Sequence, residues 1–209
     1  MTEEMINELR QTVKASMSEK RAFHTLAVER MAVRLGEIYA PDKVTALRVA
    51  ALLHDITKEL STDEHIRLCA EYGIELHDND ILAPKTLHAR TAAAKIESDF
   101  KDYADEDVLS AVRWHTTGKA GMNICDKLIY LADYIDDSRK FEDCVKLREF
   151  FFDFDFYNAN RDAQLAHLRD TLIYSYDMTI SALLDSGAPI AKDTFDARNE
   201  LVCEKLKAN

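Results

Sequence analysis

The chain has 209 residues, of which 47% are hydrophobic, enough for one core of ordinary domain size. Its 5 Gly and 3 Pro are few for a turn-rich β-sandwich or barrel and favour helices. Because non-specific attraction to nucleic acid and anionic membranes comes from Lys and Arg, a net charge of -11 argues against both as partners.

The amino-terminal segment MTEEMINELR is charged and lacks the apolar centre of a signal peptide. No apolar run approaches the roughly 20 residues that span a bilayer. We therefore expect a cytoplasmic protein. No Cys-x-x-Cys pair occurs, so we expect reduced thiols at Cys69, Cys125, Cys144 and Cys203.

Helical periodicity begins at the amino terminus, with a first helix predicted over residues 2–16. Ser16 and Glu19 match a capping box that would open a second helix, ending near residue 39. Pro41 suits the start of a third helix, which is almost wholly apolar to residue 54 and is therefore expected to be buried. The second helix is expected to turn one apolar stripe inward, formed by Phe23, Leu26, Ala27, Met31, Val33 and Leu35.

The rest of the chain is also read as helical apart from short breaks. Ser61 is expected to cap a helix that Gly73 ends, a loop is expected over residues 78–84, and Gly118 and Gly121 mark a turn. Further helices are predicted over residues 61–72, 86–100, 105–115, 123–137, 142–152, 158–184 and from 193 onward. No linker or repeat interrupts this pattern, which predicts an all-α, single-domain helical bundle.

Two aspartates and two histidines lie where apolar helices would bury them. His54 and Asp55 end the most apolar helix, Asp133 lies within KLIYLADYIDDSR, and His24 is flanked by Leu26, Ala27 and Val28. An unpaired buried carboxylate costs several kcal/mol or becomes neutral, whereas a metal ion compensates its burial. Taken singly, Asp133 also fits an ion pair with Lys or Arg, and His24 fits a core histidine.

His88 and His115 lie near helix ends, which is unremarkable for either alone. Together with the first four residues they suit Fe, Mn, Co or Zn. Two histidines and two aspartates leave positions on an octahedral ion for water and substrate oxygens, as catalytic sites do. We therefore predict a divalent-metal hydrolase of phosphate esters or anhydrides, and structural roles for His65, His77 and His167.

The order H…HD…H…H…D on an all-helical chain resembles the HD-domain phosphohydrolase superfamily. The motifs RAFHTLAV, ALLHDITKEL, LHARTAA, RWHTTG and KLIYLADYIDDSR look like the YqeK family of symmetrical bis(5'-nucleosyl)-tetraphosphatases, which split diadenosine tetraphosphate (Ap4A) into two ADP. This resemblance spans about residues 20–199. It implies an HD domain over 1–209, with a motif core at about 20–140 and carboxy-terminal helices, 141–209, completing the nucleotide pocket. The resemblance leaves open whether the protein forms a homodimer.

The resemblance also implies roles for single residues. It implies one or two ions, most often iron, with the first held by His24, His54, Asp55 and Asp133. Catalytic roles fall to Asp133, Asp55 and Lys58. Nucleotide contacts fall to Arg21, His24, Lys58, Glu59, Leu60, Ser61, His88, His115, Thr116, Asp133, Arg139, Tyr176 and Ser181. Whether His88 and His115 bind a second metal or phosphate is left open.

The chain departs from the family in one place, with Asp136-Asp137 where members often carry Glu-Pro. The sequence also leaves two alternatives to the Ap4A hydrolase function. One is an HD hydrolase of another nucleotide, a dNTP or (p)ppGpp, and the other is a non-catalytic, metal-dependent nucleotide sensor.

Overall fold

The computed structural model describes residues 1–208, and this range contains eleven α-helices and no β-strand. The all-α prediction is therefore confirmed. The helices are α1 Glu3–Ala15, α2 Glu19–Tyr39, α3 Val44–Leu53, α4 Thr62–Glu71, α5 Asp78–Leu82, α6 Leu87–Asp99, α7 Glu106–Trp114, α8 Ile124–Ile135, α9 Glu142–Phe152, α10 Arg161–Asp185 and α11 Lys192–Ala208. Short 3-10 turns precede α3, α6 and α7.

The cap of α2 is Ser18, so the prediction of Ser16 was wrong. Ser18 accepts a hydrogen bond from the backbone N–H of Arg21 at 3.2 Å, while Ser16 closes α1 by donating to the carbonyl of Val13 at 2.9 Å. The misreading arose because Ser18 has an arginine, and no Glu or Gln, three residues later. Ser61 caps α4 as predicted, with a full capping box.

Residues 78–84 contain a short helix, α5, where a loop was expected. The side chain of Asp80 accepts the backbone N–H of His77 at 3.0 Å and so stabilises the first turn. Five helical residues are fewer than the window over which apolar periodicity identifies a helix, so the pattern alone did not predict it.

The core forms where α2, α3, α7 and α8 pack on one another, with α10 and α11 joining through residues such as Tyr176 and Leu201. Helix α3 is buried along most of its length, as predicted. Phe23 was wrongly assigned to the inward stripe of α2, because its side chain is 64% exposed.

Within residues 1–208, no helix has both the length and the apolar character that crossing a membrane requires. The cysteines are free thiols, and three of them are buried.

Candidate metal centre

Five helices bring the predicted ligands together at their ends. His24 lies in the second turn of α2 and Asp133 in the last turn of α8. The other four lie at or beside the ends of α3, α6 and α7, and they are His54, Asp55, His88 and His115. All four are buried, and Asp133, with a side chain 17% exposed, is the most accessible of the six.

Three of the histidine rings are held by the same kind of hydrogen bond. The Nδ1 atom of each lies 2.7 Å from the backbone carbonyl three residues earlier, which belongs to Ala51, Lys85 and Val112 for His54, His88 and His115 respectively. A carbonyl only accepts, so Nδ1 donates and the unprotonated Nε2 points into the site. Histidines that bind metal are commonly oriented in this way by a partner of the second nitrogen.

His24 is oriented by side chains instead of a carbonyl. Its Nδ1 lies 3.1 Å from Ser138 Oγ and 3.4 Å from Asp136 Oδ2. Asp136 is fully buried and accepts the backbone N–H of Ser138 at 2.8 Å. Burial lowers the pKa of His24, but Asp133 and Asp136 outweigh it and raise that pKa to about 9. Asp136 was noted in the sequence only as a departure from the family pattern.

The first cluster joins His24, His54, Asp55 and Asp133. Asp133 Oδ1 lies 2.9 Å from His24 Nε2 and 3.8 Å from His54 Nε2, and Asp55 Oδ2 lies 3.4 Å from His54 Nε2. Yet the Nε2 atoms of His24 and His54 and Asp55 Oδ1 are buried without a hydrogen-bond partner. Each such atom costs about 1–3 kcal/mol, and an ion bound by the two histidine nitrogens removes their share of that cost. The donor set therefore fits a divalent metal.

The second cluster lies on the other side of Asp55. Asp55 Oδ1 is 3.4 Å from His88 Nε2 and 3.7 Å from His115 Nε2, and these two nitrogens are 2.9 Å apart. Lys58 Nζ lies 2.9 Å and Thr116 Oγ1 3.1 Å from His88 Nε2. Asp55 thus joins the two clusters, and His54, Asp55 and His115 also converge closely enough for an ion.

Burial lowers the pKa of both histidines of the second cluster, and neighbouring positive groups add to the effect. The pKa of His88 is well below its ordinary value because of burial, His115 and Lys58, and burial also lowers the pKa of His115. The pKa of Lys58 is lowered by burial as well. Both rings are therefore neutral near pH 7 and present nitrogen lone pairs.

The two aspartates remain ionised in spite of burial. Burial by itself raises a carboxyl pKa, but His54, His115 and Lys58 hold the pKa of Asp55 well below its ordinary value. Asp133 is held low in the same way, first by Arg139 and then by the histidines. Arg21 and Arg139 each place a guanidinium nitrogen 2.5 Å from one of the two carboxylates, that of Asp55 and that of Asp133 respectively.

Some predicted nucleotide contacts lie apart from the clusters. Glu59 is exposed and accepts the N–H of Ser18 at 2.8 Å. No hydrogen bond or ion pair within residues 1–208 joins the six ligands to Leu60, Ser61, Tyr176 or Ser181. Tyr176 is fully buried and stacks on Tyr130 with ring centroids 4.7 Å apart. The histidines expected to be structural, His65, His77 and His167, also lie outside the clusters.

Comparisons with known proteins agree with this geometry. The HD domain family model matches residues 21–137. The chain is 34% identical to "Bis(5'-nucleosyl)-tetraphosphatase, symmetrical" from Halalkalibacterium halodurans over 93% of this chain and 96% of the relative. It is 32% identical to the protein of the same name from Bacillus subtilis, over 91% and 94%. A crystal structure from Clostridium acetobutylicum, described as a "predicted HD superfamily hydrolase involved in NAD metabolism", has a TM-score of 0.81 and 32% identity, covering 95% of this chain and 97% of that one.

Proposed function

The chain belongs to the HD-domain family, and we propose that it is a metal-dependent hydrolase that cleaves Ap4A symmetrically into two ADP. The observation that carries the hydrolase class is the convergence of buried ligand atoms in two groups that share His54, with the Nε2 atoms of His24 and His54 lacking a hydrogen-bond partner. The substrate rests on similarity over nearly the whole chain to two relatives named symmetrical bis(5'-nucleosyl)-tetraphosphatases.

His24, His54, Asp55 and Asp133 would hold the metal. A divalent ion at that position supplies positive charge beside the phosphate and makes water acidic enough to ionise near neutral pH. We propose iron on the basis of the family resemblance, since this donor set suits Fe, Mn, Co and Zn alike.

Lys58, His88 and His115 would bind the phosphate chain beside the metal ligands. We favour a phosphate over a second metal here because the Lys58 ammonium already lies 2.9 Å from His88 Nε2 and would repel a cation. Thr116 adds a hydroxyl to the same group, 3.1 Å from His88 Nε2. Lys58 and the Thr116 hydroxyl can donate directly to phosphate oxygens, whereas His88 and His115 can do so only when they bind the phosphate with a proton on Nε2. Lys58 is also placed to stabilise charge that develops on the transferred phosphoryl group.

Arg21 and Arg139 would hold phosphate oxygens at the outer side of the metal ligands. Both guanidinium groups reach a metal-ligand carboxylate and keep more than a quarter of their side chains exposed, at 27% and 29%. An arginine binds phosphate through two parallel N–H groups, which fixes its orientation as well as its distance. Asp133 lies beside this entrance and can orient water as a hydrogen-bond acceptor, although its low pKa makes it a weak base.

The carboxy-terminal helices would complete the HD domain proposed for residues 1–209, its motif core at about 20–140. The Tyr176 hydroxyl fills the space beside Gly118, where an added Cβ would lie 1.9 Å from that oxygen. Gly118 closes the turn that follows His115 by donating its N–H to the Trp114 carbonyl at 2.8 Å. We therefore propose that Tyr176 acts by supporting this turn, whereas its predicted role was direct contact with the nucleotide.

The proposal is tested with Asp55→Ala and, as a matched control, Asp185→Ala at the exposed end of α10. Asp55→Ala should lose bound metal by elemental analysis and lose Ap4A hydrolysis while its helical circular dichroism spectrum is kept. Undiminished hydrolysis by metal-free Asp55→Ala would refute the mechanism. A substrate panel with dNTPs and (p)ppGpp tests the other HD activities, and tight ADP binding without turnover across Fe, Mn and Co would favour a sensor.

A further inference from the structure

A cavity of about 740 Å³ lies beside one of the proposed metal ligands, His24. His24, Arg21 and Arg139 form part of its wall, so the cavity begins where the first cluster ends. Its volume lies within the usual range of small-molecule sites, about 300–1,000 Å³. One nucleoside with part of its phosphate chain therefore fits this space.

The cavity concentrates positive charge in a chain whose net charge is -11. Four of its lining side chains are cationic, and they are Lys20, Arg21, Arg139 and Lys140. The single acidic side chain of the lining, Glu59, already accepts the backbone N–H of Ser18 at 2.8 Å. A polyphosphate is attracted to such a surface, and the two lysines extend the charge outward from the arginines.

Two phenylalanine side chains line the same cavity and are largely exposed, Phe23 at 64% and Phe141 at 72%. Neither side chain stabilises the fold by being buried in the core. Phe141 occupies the N-cap of α9, where it makes no side-chain capping bond and where Ser, Thr, Asp or Asn would stabilise the helix by about 1 kcal/mol. Phe23 lies on the exposed side of α2, next to His24.

We infer that this cavity binds one adenosine half of Ap4A, with the adenine stacked on Phe23 and Phe141 and the adjoining phosphates held by Lys20 and Lys140. The inference rests on the proposed function and adds a base subsite to it. Stacking on an aromatic ring is the main way in which proteins hold a base without reading its edges, and alanine substitution of one such ring costs about 1–3 kcal/mol. The site therefore binds a nucleotide through the face of its base and the charge of its phosphates.

The test compares ADP with inorganic pyrophosphate, which has the charge but no base. Binding of each to metal-loaded full-length protein is measured by calorimetry for Phe23→Ala, Phe141→Ala and the Phe→Trp variant at each position. Tyr157→Ala is the matched control, because Tyr157 is 95% exposed and lies outside the cavity lining.

Each alanine variant should weaken ADP binding about tenfold, the order expected for one stacked base. Pyrophosphate binding should change less than twofold, and tryptophan should retain ADP affinity. ADP binding equal to that of the Tyr157 control would overturn the inference, as would an equal loss for both ligands. This readout needs no turnover, so a subsite that fails while Ap4A is still cleaved is distinguished from failure of the proposed hydrolase.

Discussion

The substitution Asp136→Asn tests whether the Asp136 carboxylate positions His24 for metal binding. One oxygen of the buried Asp136 carboxylate lies 2.8 Å from the Ser138 backbone nitrogen. The other lies 3.4 Å from His24 Nδ1 and 3.5 Å from Arg139 Nε. Asparagine has only one acceptor oxygen. If the asparagine oxygen accepts the Ser138 backbone N–H, the asparagine NH2 group faces the N–H donors of His24 and Arg139. If the amide is rotated by half a turn, the NH2 group faces the Ser138 backbone N–H instead.

Either arrangement leaves a buried donor unpaired, which costs about 1–3 kcal/mol. Outer partners of metal-binding histidines usually contribute 10- to 100-fold in metal affinity, about 1.4–2.7 kcal/mol, which agrees with that range. We therefore expect Asp136→Asn to bind the metal roughly 10- to 100-fold more weakly than wild type.

The assay is competition between the metal-free protein and a chromophoric chelator. Asp137→Asn is the control, because it removes the same charge from the adjacent, exposed residue and should leave affinity unchanged. Thermal melts of the metal-free variants check that each one folds. If a folded Asp136→Asn bound metal as tightly as wild type, or if Asp137→Asn lost as much affinity, Asp136 would not be the positioning residue.

Three further predictions concern the turn at Gly118, the proton on His24 and the binding of phosphate by Arg139. Gly118→Ala should destabilise the protein by about 2–4 kcal/mol and lower Tm by roughly 10 °C, because φ is 64° and the new Cβ would lie 1.9 Å from the Tyr176 hydroxyl; an unchanged melt would contradict this. Because the pKa of His24 is about 9, its proton competes with the metal, so metal affinity should rise up to about tenfold per pH unit below pH 9 and level off above it. A metal affinity that did not change in calorimetric titrations from pH 6.5 to 9.5 would show that the pKa of His24 is not raised in this way. Arg139→Lys keeps the charge but loses the paired N–H groups, so kcat/KM for Ap4A should fall about 10- to 100-fold in steady-state assays, with metal content unchanged.

Much of the helical architecture followed from the sequence because helix caps and apolar periodicity are local. Ser61 with Glu64, and Gly73 with its positive φ of 65°, defined one helix at both ends. Phe23 was misassigned because hydrophobicity alone does not separate a core position from an exposed position beside a cavity. The N-cap of α2 was misplaced because the capping-box pattern, a serine with Glu three residues later, occurs at Ser16 and not at Ser18, which caps the helix in the structure.

The convergence of the four histidines and two aspartates was predictable in part for a physical reason, since a carboxylate such as Asp133 in an otherwise apolar helix needs a compensating charge. The positioning role of Asp136 was not predictable, because it depends on the chain turning after α8 so that this side chain faces His24 across the bundle. One weak signal existed, a carboxylate three residues after Asp133. Likewise, Tyr176 was expected at the nucleotide, but its burial against Gly118 is a long-range contact that no local pattern reveals.

We propose that the converging histidines and aspartates bind a divalent ion and hydrolyse Ap4A symmetrically. This proposal is tested by purifying the protein anaerobically, quantifying the bound metal and identifying the products formed from Ap4A. We predict stoichiometric metal and two ADP per Ap4A, with activity lost on chelation and restored when the metal is returned. Formation of ATP and AMP, or full activity in the chelated protein, would contradict the account.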